Sequence, residues 1–202
     1  MAKQLFSIGY SGFPDVNDFI ETLKASQIQI LIDVRSHPYS SYFVDYDREK
    51  LSDILKKNQI YYCNYARQFG ARQEDRSFYK GGRLDFELFA KSEQFLEGVS
   101  AVVKSNANIV FMCSEKHPAN CHRAILVTRA FSDLGYPITH LKPNGESLTQ
   151  KDIEAELVDT YFPNRAQTSM FAEDNLSDAE YIRQAYIRRN DEIGFKLEDL
   201  LQ

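Results

Sequence analysis

The sequence predicts an α/β protein: a Rossmann-like three-layer sandwich with a mostly parallel sheet, followed by a C-terminal helical tail. Short apolar runs alternate with segments whose apolar residues recur at helical spacing, which is typical of a parallel sheet flanked by helices. The final stretch is polar and charged, with sparser apolar residues. We therefore predict an α/β domain over residues 1–145 and a helical extension over residues 146–202.

The individual elements follow from the same patterns. Apolar runs predict strands over residues 5–8, 28–34, 59–62, 109–112 and 137–141. Helical spacing and end signals predict helices over residues 47–58, 84–105 (one helix or two), 124–134, 149–161 and 177–201. A further helix is expected to begin at Asp15 or Asn17, and Gly194 is expected to divide the last one. Residues 164–176 are predicted to be a linker.

A long irregular stretch is predicted over residues 64–83. It carries interleaved aromatic residues and a set of basic residues, namely Arg67, Arg72, Arg76, Lys80 and Arg83. Loops of this length inside compact domains are usually functional or disordered. The stretch could lie over a phosphate-rich ligand, or it could be a solvated loop.

Composition favours a soluble, cytoplasmic protein. Of the 202 residues, 43% are hydrophobic, which is enough for a core, and the net charge of −5 argues against a globally basic nucleic-acid-binding surface. Three cysteines do not form a disulfide framework. The first residues lack the apolar core of a signal peptide, and no run approaches the ~20 apolar residues of a membrane span. We expect no membrane partner and predict no cofactor.

One stretch, residues 107–134, organises the candidate site as a strand, a loop and a helix. Its loop and first helical turn hold two of the three cysteines and two of the four histidines, in the sequence CSEKHPANCHR over residues 113–123. A helix N-terminus presents free N–H groups and a partial positive charge, so this position favours an anion.

Several other strands are also followed by polar or charged residues. Ligands of open α/β sheets bind outside the carboxyl ends of the strands, so residues that follow parallel strands meet at one edge. On this rule the following residues project at the same edge: Gly9, Tyr10, Ser11, Gly12, Asp33, Arg35, Cys113, Glu115, His122, Arg123 and His140.

Three motifs at this edge resemble the DUF488 family, whose domain is named for its unknown function. The motifs are IGYSG over residues 8–12, LIDVRSHP over 31–38 and CSEKHPANCHR over 113–123. They occur in the family's order, and the resemblance covers about residues 4–142. It implies a Rossmann-like α/β fold with a site at the strand ends, and it supplies no activity. The tail beyond Pro143 lies outside it.

The predicted ligand-binding residues all follow strands at this edge: Gly9, Tyr10, Ser11, Arg35, Cys113 and Arg123. Arg35 and Arg123 would hold a phosphate or carboxylate, because arginine offers a permanent charge and paired donors. Alternatively, Arg35 forms a structural ion pair with Asp33 or Glu115. Ser11 could equally be only the cap of the following helix.

The predicted catalytic residues could move protons or attack an electrophile: Glu115, His122, Asp33 and Cys121. Imidazole titrates near neutrality, which suits His122 as a general acid or base, unless it only hydrogen-bonds a strand end. The two carboxylates form either an acid–base pair or counterions to the arginines. Cys121 is either a thiolate nucleophile at a helix N-terminus or, because it lies on the apolar face of that helix, a buried and inert thiol.

Metal binding and phosphatase chemistry are not favoured by the spacing. Cys113, His117, Cys121 and His122 are zinc-ligand types, but C-x7-C-H is not an established zinc spacing, so no metal ligand is predicted. Neither of these cysteines is followed six residues later by an arginine. Chemistry of the tyrosine-phosphatase or rhodanese type therefore lacks its usual anion cradle.

These patterns lead to three hypotheses. The first is an enzyme that acts on a phosphate-bearing ligand, a nucleotide or nucleic acid end, at the carboxyl ends of the strands. The second is a non-catalytic module that binds or senses the same ligands, using the same pocket and the basic stretch. The third and weaker one is a zinc- or thiol-based redox protein. The oligomeric state is not predicted.

Overall fold

A computed structural model describes residues 3–165 and 176–201 of the chain. The strands are β1 (Leu5–Gly9), β2 (Ile30–Asp33), β3 (Tyr61–Asn64), β4 (Tyr79–Lys80), β5 (Arg83–Leu84), β6 (Ile109–Cys113), β7 (Ile138–Leu141) and β8 (Ser147–Thr149). Six of them form one sheet in the order β3-β2-β6-β1-β7-β8, while β4 and β5 form a separate hairpin. Neighbouring strands of the sheet are parallel, except that β8 is antiparallel to β7. The predicted α/β class with a mostly parallel sheet is confirmed.

The helices also follow the predicted order. They are α1 (Val16–Ala25), α2 (Arg48–Lys57), α3 (Ala66–Phe69), α4 (Phe86–Phe89), α5 (Glu93–Lys104), α6 (Arg129–Asp133), α7 (Gln150–Tyr161) and α8 (Asp178–Ile193). Asp15 caps α1, because its side chain accepts hydrogen bonds from the backbone N–H groups of Asn17 and Asp18. Thr149 and Asp152 form a capping box at the start of α7.

Both faces of the sheet are buried. Along β6, Ile109, Phe111 and Cys113 belong to one apolar core cluster, while Val110 and Met112 belong to a second cluster on the other face. Successive side chains of a strand point to opposite faces, so a continuous apolar run is the pattern of a strand covered on both sides. Apolar residues of α1 and α2 join the second cluster, and those of α5, α6, α7 and α8 join the first. The result is the three-layer sandwich that the sequence predicts.

Three local features differ from what the sequence predicted. The stretch 64–83 is not irregular throughout, because it contains α3, a single 3-10 turn over Arg76–Phe78 and strand β4. Elements this short carry too little periodicity to be recognised. Strand β8 was not predicted, since its three residues hold a single apolar side chain. The helix predicted over 124–134 begins as a π-helix over Arg123–Thr128 and continues as α6. Such π-helical turns are frequent at functional sites.

The last part of the chain packs on the same core as the sheet. Ile153 and Leu157 of α7 and Ala185 and Tyr186 of α8 belong to the cluster that contains β1 and β6 residues. Helix α8 ends at Gly194, where the sequence predicted a division. Most of the predicted linker, residues 166–175, lies outside the described residues. Among the helices that the structure describes, none has the length and apolar character needed to cross a membrane.

Candidate functional site

The site forms where the three central strands end. In the register of the sheet, Gly9 on β1 pairs with Cys113 on β6, and Asp33 on β2 pairs with Met112. The residues that follow these strands therefore meet at one edge, as the topology rule predicts. They surround an open cavity of about 350 Å³, which we call the strand-end cavity.

Six of the ten predicted site residues line this cavity: Tyr10, Arg35, Cys113, Glu115, Cys121 and His122. The other four, Gly9, Ser11, Asp33 and Arg123, lie behind its wall and are absent from its lining. Residues that were not predicted as site residues complete it: Ser36, His37, Tyr39, Ala71, Arg72, Ser114, Asn120, Ile193 and Phe195.

Arg35 and Asp33 form a buried ion pair. Arg35 Nε donates to Asp33 Oδ1 at 2.9 Å, and Arg35 Nη2 donates to Asp33 Oδ2 at 2.6 Å. Nη2 also donates to the backbone oxygen of Tyr46, and the Tyr62 hydroxyl donates to Asp33 at 2.8 Å. Burial opposes the charge of Arg35, but the Asp33 carboxylate outweighs burial and raises its pKa. Arg35 thus forms the ion pair with Asp33 that the sequence offered as the alternative to ligand binding.

The ion pair with Asp33 uses two of the three guanidinium nitrogens of Arg35, namely Nε and Nη2. Nη1 is buried and has no hydrogen-bond partner among the described residues. The guanidinium lies 5.1 Å from the ring centre of Tyr10, which also lines the cavity. Asp33, by contrast, is fully buried and its oxygens are occupied. Arg35 therefore keeps a donor that a ligand could engage, while Asp33 acts as the group that positions Arg35.

Arg123 and Gly9 hold the loop that follows β6. Arg123 is buried, and its Nη1 and Nη2 donate to the backbone oxygens of Glu115, at 2.6 Å, and Lys116, at 3.3 Å. A Cβ atom added at Gly9 would lie 1.8 Å from the same Glu115 oxygen. The backbone N–H of Ser11 donates to the oxygen of Ser114 at 3.1 Å. These contacts give the three residues a structural role in shaping the loop.

Three side chains on the wall of the cavity form a compact buried cluster. Cys113, Cys121 and His122 are 4%, 2% and 8% exposed. His122 Nδ1 lies 3.9 Å from the sulfur of each cysteine, and the three atoms lie within 4.8 Å of one another. Cys113 comes from the end of β6, while Cys121 and His122 directly precede the π-helix that begins at Arg123. We call this group the Cys–Cys–His cluster.

A hydrogen bond to the end of β2 fixes the orientation of the His122 ring. Nε2 lies 3.0 Å from the backbone oxygen of Val34, at the end of β2. A carbonyl oxygen can only accept, so Nε2 carries the proton of this hydrogen bond. In the neutral imidazole, Nδ1 then presents its lone pair to the two sulfur atoms.

The surroundings of the cluster favour a thiolate at Cys121, next to the positive charge of Arg123. Burial opposes ionisation of Cys121, but hydrogen bonding with Cys113 and the charge and backbone N–H of Arg123 outweigh burial and lower the pKa of the Cys121 thiol to about 6. The hydrogen bond with Cys121 and burial raise the pKa of Cys113. Burial of His122 is outweighed by the Cys113 sulfur and the Val34 oxygen, which raise the pKa of the imidazole. Cys121 is thus buried, as its helical position predicted, but in surroundings that stabilise its charged form.

Glu115, a predicted catalytic residue, and His117, which the sequence offered only as a zinc-ligand type, lie apart from the cluster. Glu115 is exposed and lines the cavity. The imidazole of His117 lies 3.6 Å from a Glu156 carboxylate oxygen on α7, away from the cysteines. The four zinc-ligand types noted in the sequence therefore do not come together as one group, because His117 lies apart from Cys113, Cys121 and His122.

The residues that sequence reasoning missed come from two sources. His37 belongs to the LIDVRSHP motif, and Arg72 belongs to the basic stretch, so signals for both were present. Arg72 is exposed, and its guanidinium lies 4.6 Å from the ring centre of Phe195. Ile193 and Phe195 come from the far end of the chain, where no motif linked them to the site.

Comparison with known proteins identifies the family. The family model described as "Domain of unknown function DUF488" matches residues 15–130, more than half of the 202 residues. The chain belongs to the DUF488 family, as the three motifs predicted. Neither the curated proteins nor the solved structures contain a significant match to it. The fold, the cavity and the Cys–Cys–His cluster are therefore the basis for a functional proposal.

Proposed function

We propose that this protein is an enzyme that acts on a phosphate-bearing ligand, such as a nucleotide or a nucleic acid end, in the strand-end cavity. One observation carries the proposal: two arginines and the Cys–Cys–His cluster line the same cavity. Arginine side chains suit phosphate, and the cluster supplies electron-pair donors next to them. A cavity of about 350 Å³ is large enough for part of a small ligand.

Binding of the phosphate is assigned to Arg72 and Arg35. Arg72 is exposed at the cavity and can reach a ligand directly, while Arg35 retains a buried nitrogen without a partner among the described residues. His37 adds a further donor. Tyr39 is 65% exposed and offers an aromatic face on which a base could stack.

The chemical step is assigned to the wall formed by the cluster. His122 Nδ1 and the Cys121 sulfur are electron-pair donors at the cavity, and Glu115 adds an exposed carboxylate. A proton released by an attacking hydroxyl or water could pass to one of these groups. Asp33 is not assigned a catalytic role, because its oxygens are bound to Arg35 and Tyr62.

The test is a titration of the protein with inorganic phosphate, adenosine monophosphate and a 5′-phosphorylated dinucleotide. Arg72→Gln should weaken binding of the phosphate-bearing probes by about tenfold or more, since a charge-assisted hydrogen bond contributes about 1.5–3 kcal/mol. Arg48→Gln is the matched control, because Arg48 is an exposed arginine at the start of α2 that does not line the cavity. Equal affinities of the two variants for every probe would contradict the proposal.

Catalysis is tested separately from binding. Each probe that binds is incubated with the protein for many hours and followed by phosphorus NMR. A changed spectrum with wild type but not with His122→Asn supports an enzyme. Probes that bind tightly and emerge unchanged would instead identify a binding or sensor module.

A further inference from the structure

The Cys–Cys–His cluster brings together three donor atoms of one chemical kind. Thiolate sulfur and imidazole nitrogen are the ligands that zinc prefers in proteins. In a tetrahedral zinc site with ordinary bond lengths, a ligand sulfur and a ligand nitrogen are roughly 3.6 Å apart and two sulfurs are about 3.8 Å apart. Each sulfur lies 3.9 Å from His122 Nδ1, and the two sulfurs lie within 4.8 Å of each other. The S–N distances are a few tenths of an ångström longer than in a zinc site, and a movement of the two cysteine side chains towards each other by up to about 1 Å would complete the geometry.

The surroundings of the cluster supply a second, independent observation. A histidine that binds a metal almost always donates its other ring N–H to a carboxylate, a carbonyl or water, which fixes the tautomer. His122 does so, with Nε2 3.0 Å from the Val34 oxygen. In the neutral imidazole this hydrogen bond leaves Nδ1, 3.9 Å from each sulfur, as the nitrogen that can bind a metal.

We propose that Cys113, Cys121 and His122 bind a zinc ion through their two sulfur atoms and Nδ1, with a fourth position that faces the strand-end cavity. The three residues line that cavity, so a fourth ligand can approach from its open side. Three protein ligands and one open position are typical of catalytic rather than structural zinc sites. The metal site rests on the geometry of the donors, whereas its part in catalysis rests on the proposed function. A bound zinc would occupy Nδ1 and both sulfurs, so the proton acceptor of the proposed function would then be the exposed Glu115 carboxylate.

The fold explains why the sequence spacing concealed this site. Cys113 ends β6, and the chain then makes an excursion over residues 114–120 before Cys121 and His122 return to it. Arg123 and the backbone of Ser11 hold that excursion in place. The seven intervening residues therefore form a rigid loop, and the short ligand spacing of zinc fingers is not needed.

The first measurement is the metal content of the full chain, purified without chelator. We expect native mass spectrometry to show one zinc ion per chain that is lost on denaturation in acid. Removing zinc with a chelator should lower the melting temperature, and adding zinc back should restore it. Cobalt(II) in place of zinc should give the near-ultraviolet absorption of a thiolate–cobalt bond.

Variants assign the ligands. Cys113→Ser and Cys121→Ser should lose the zinc and the cobalt absorption. Cys63→Ser should keep both, because Cys63 is the third cysteine of the chain and lies on β3, outside the cluster. Circular dichroism of each variant distinguishes ligand loss from misfolding, and the chelator experiment on wild type does not depend on any variant.

Two results would overturn the zinc site. One is wild-type protein that carries no metal and whose melting temperature responds to neither chelator nor zinc. The other is a Cys113–Cys121 disulfide in the purified protein, which would assign the sulfurs to redox chemistry. Arg72→Gln separates this inference from the proposed function: it should keep its zinc while losing affinity for phosphate. Zinc without phosphate binding, or phosphate binding without zinc, would refute one proposal and leave the other standing.

Discussion

His122 and His140 are both buried histidines next to the central strands, but their surroundings differ. The Nδ1 atom of His140 lies 2.6 Å from the Ser7 hydroxyl, and its Nε2 atom lies 3.0 Å from the side-chain oxygen of Gln150. His122 has one nitrogen on the Val34 oxygen, and the other faces two sulfurs at the cavity. Two histidines that are both buried thus differ in whether they border the strand-end cavity, which His122 lines and His140 does not.

The surroundings of His140 form a sealed polar network. The Gln150 oxygen also accepts a hydrogen bond from Thr128, and the Gln150 amide donates to the hydroxyl of Tyr186 and to the backbone oxygen of Ala124. These bonds connect β7, α7, α8 and the π-helix. Such a network satisfies buried polar groups and fixes how the layers pack. Its role is in stability, which separates it from the Cys–Cys–His cluster.

The largest expected effect is a difference in the free energy of unfolding between variants of His140 and His122. His140→Ala should lower the free energy of unfolding by about 3 kcal/mol, because it creates a cavity in the core and leaves the buried Ser7 hydroxyl without its hydrogen-bond partner. In zinc-free protein, His122→Ala should cost about 1 kcal/mol, since water can enter from the open cavity. Urea unfolding in the presence of a chelator measures both. A greater loss for His122→Ala would contradict the comparison.

The loop beside the cluster should also be sensitive to one added methyl group. Gly9→Ala should cost about 2–3 kcal/mol and reduce zinc binding, because the new Cβ would collide with the Glu115 backbone. Gly12→Ala is the matched control, since its Cβ would meet only the flexible side chain of Lys116, at 3.1 Å. The melting temperature and zinc content of the two variants test this prediction. If both quantities were the same in Gly9→Ala and Gly12→Ala, the loop would have moved to make room for the new Cβ atom, and the prediction would be wrong.

The sealed network should make stability depend on pH. Burial, followed by the charge of Arg123, lowers the pKa of His140 to about 3, because these effects outweigh the hydrogen bond with Gln150 and the charge of Asp152, which raise it. The folded protein therefore keeps His140 neutral at pH 5, while the unfolded chain binds a proton there. Stability is lost as pH falls from 6.5 towards 3, by about 2 kcal/mol between pH 7 and pH 5. His140→Gln should remove that part of the pH dependence of urea unfolding, and an unchanged slope would count against it.

The smallest effect concerns the edge of the network. Tyr186→Phe removes a hydroxyl that accepts from Gln150 at 2.8 Å and donates to Glu154 at 3.2 Å. The expected loss is about 1 kcal/mol in the free energy of unfolding, with zinc content and phosphate affinity unchanged. A change in ligand affinity larger than the change in stability would connect the network to the site.

Sequence reasoning reached the fold and much of the site because both depend on local patterns. Buried strands such as β6 are apolar runs, and parallel strands bring their ends together, which gathered Arg35, Cys113 and His122 at one edge. The direction of a long side chain is not local information. Arg123 turns back to the loop backbone, so that Arg72 lines the cavity and Arg123 does not.

The segment after α8 is attached to the β4–β5 hairpin. The backbone N–H of Leu84 donates to the Phe195 oxygen at 2.9 Å, and that of Leu197 donates to the Gly82 oxygen at 2.8 Å. Phe195 and Ile193 thereby complete the cavity wall, although both lie outside residues 15–130, which the family model matches. The Cys–Cys–His cluster and this part of the cavity wall are thus encoded in separate stretches of the chain. Replacing residues 193–197 would therefore reshape the strand-end cavity without changing any residue of the Cys–Cys–His cluster.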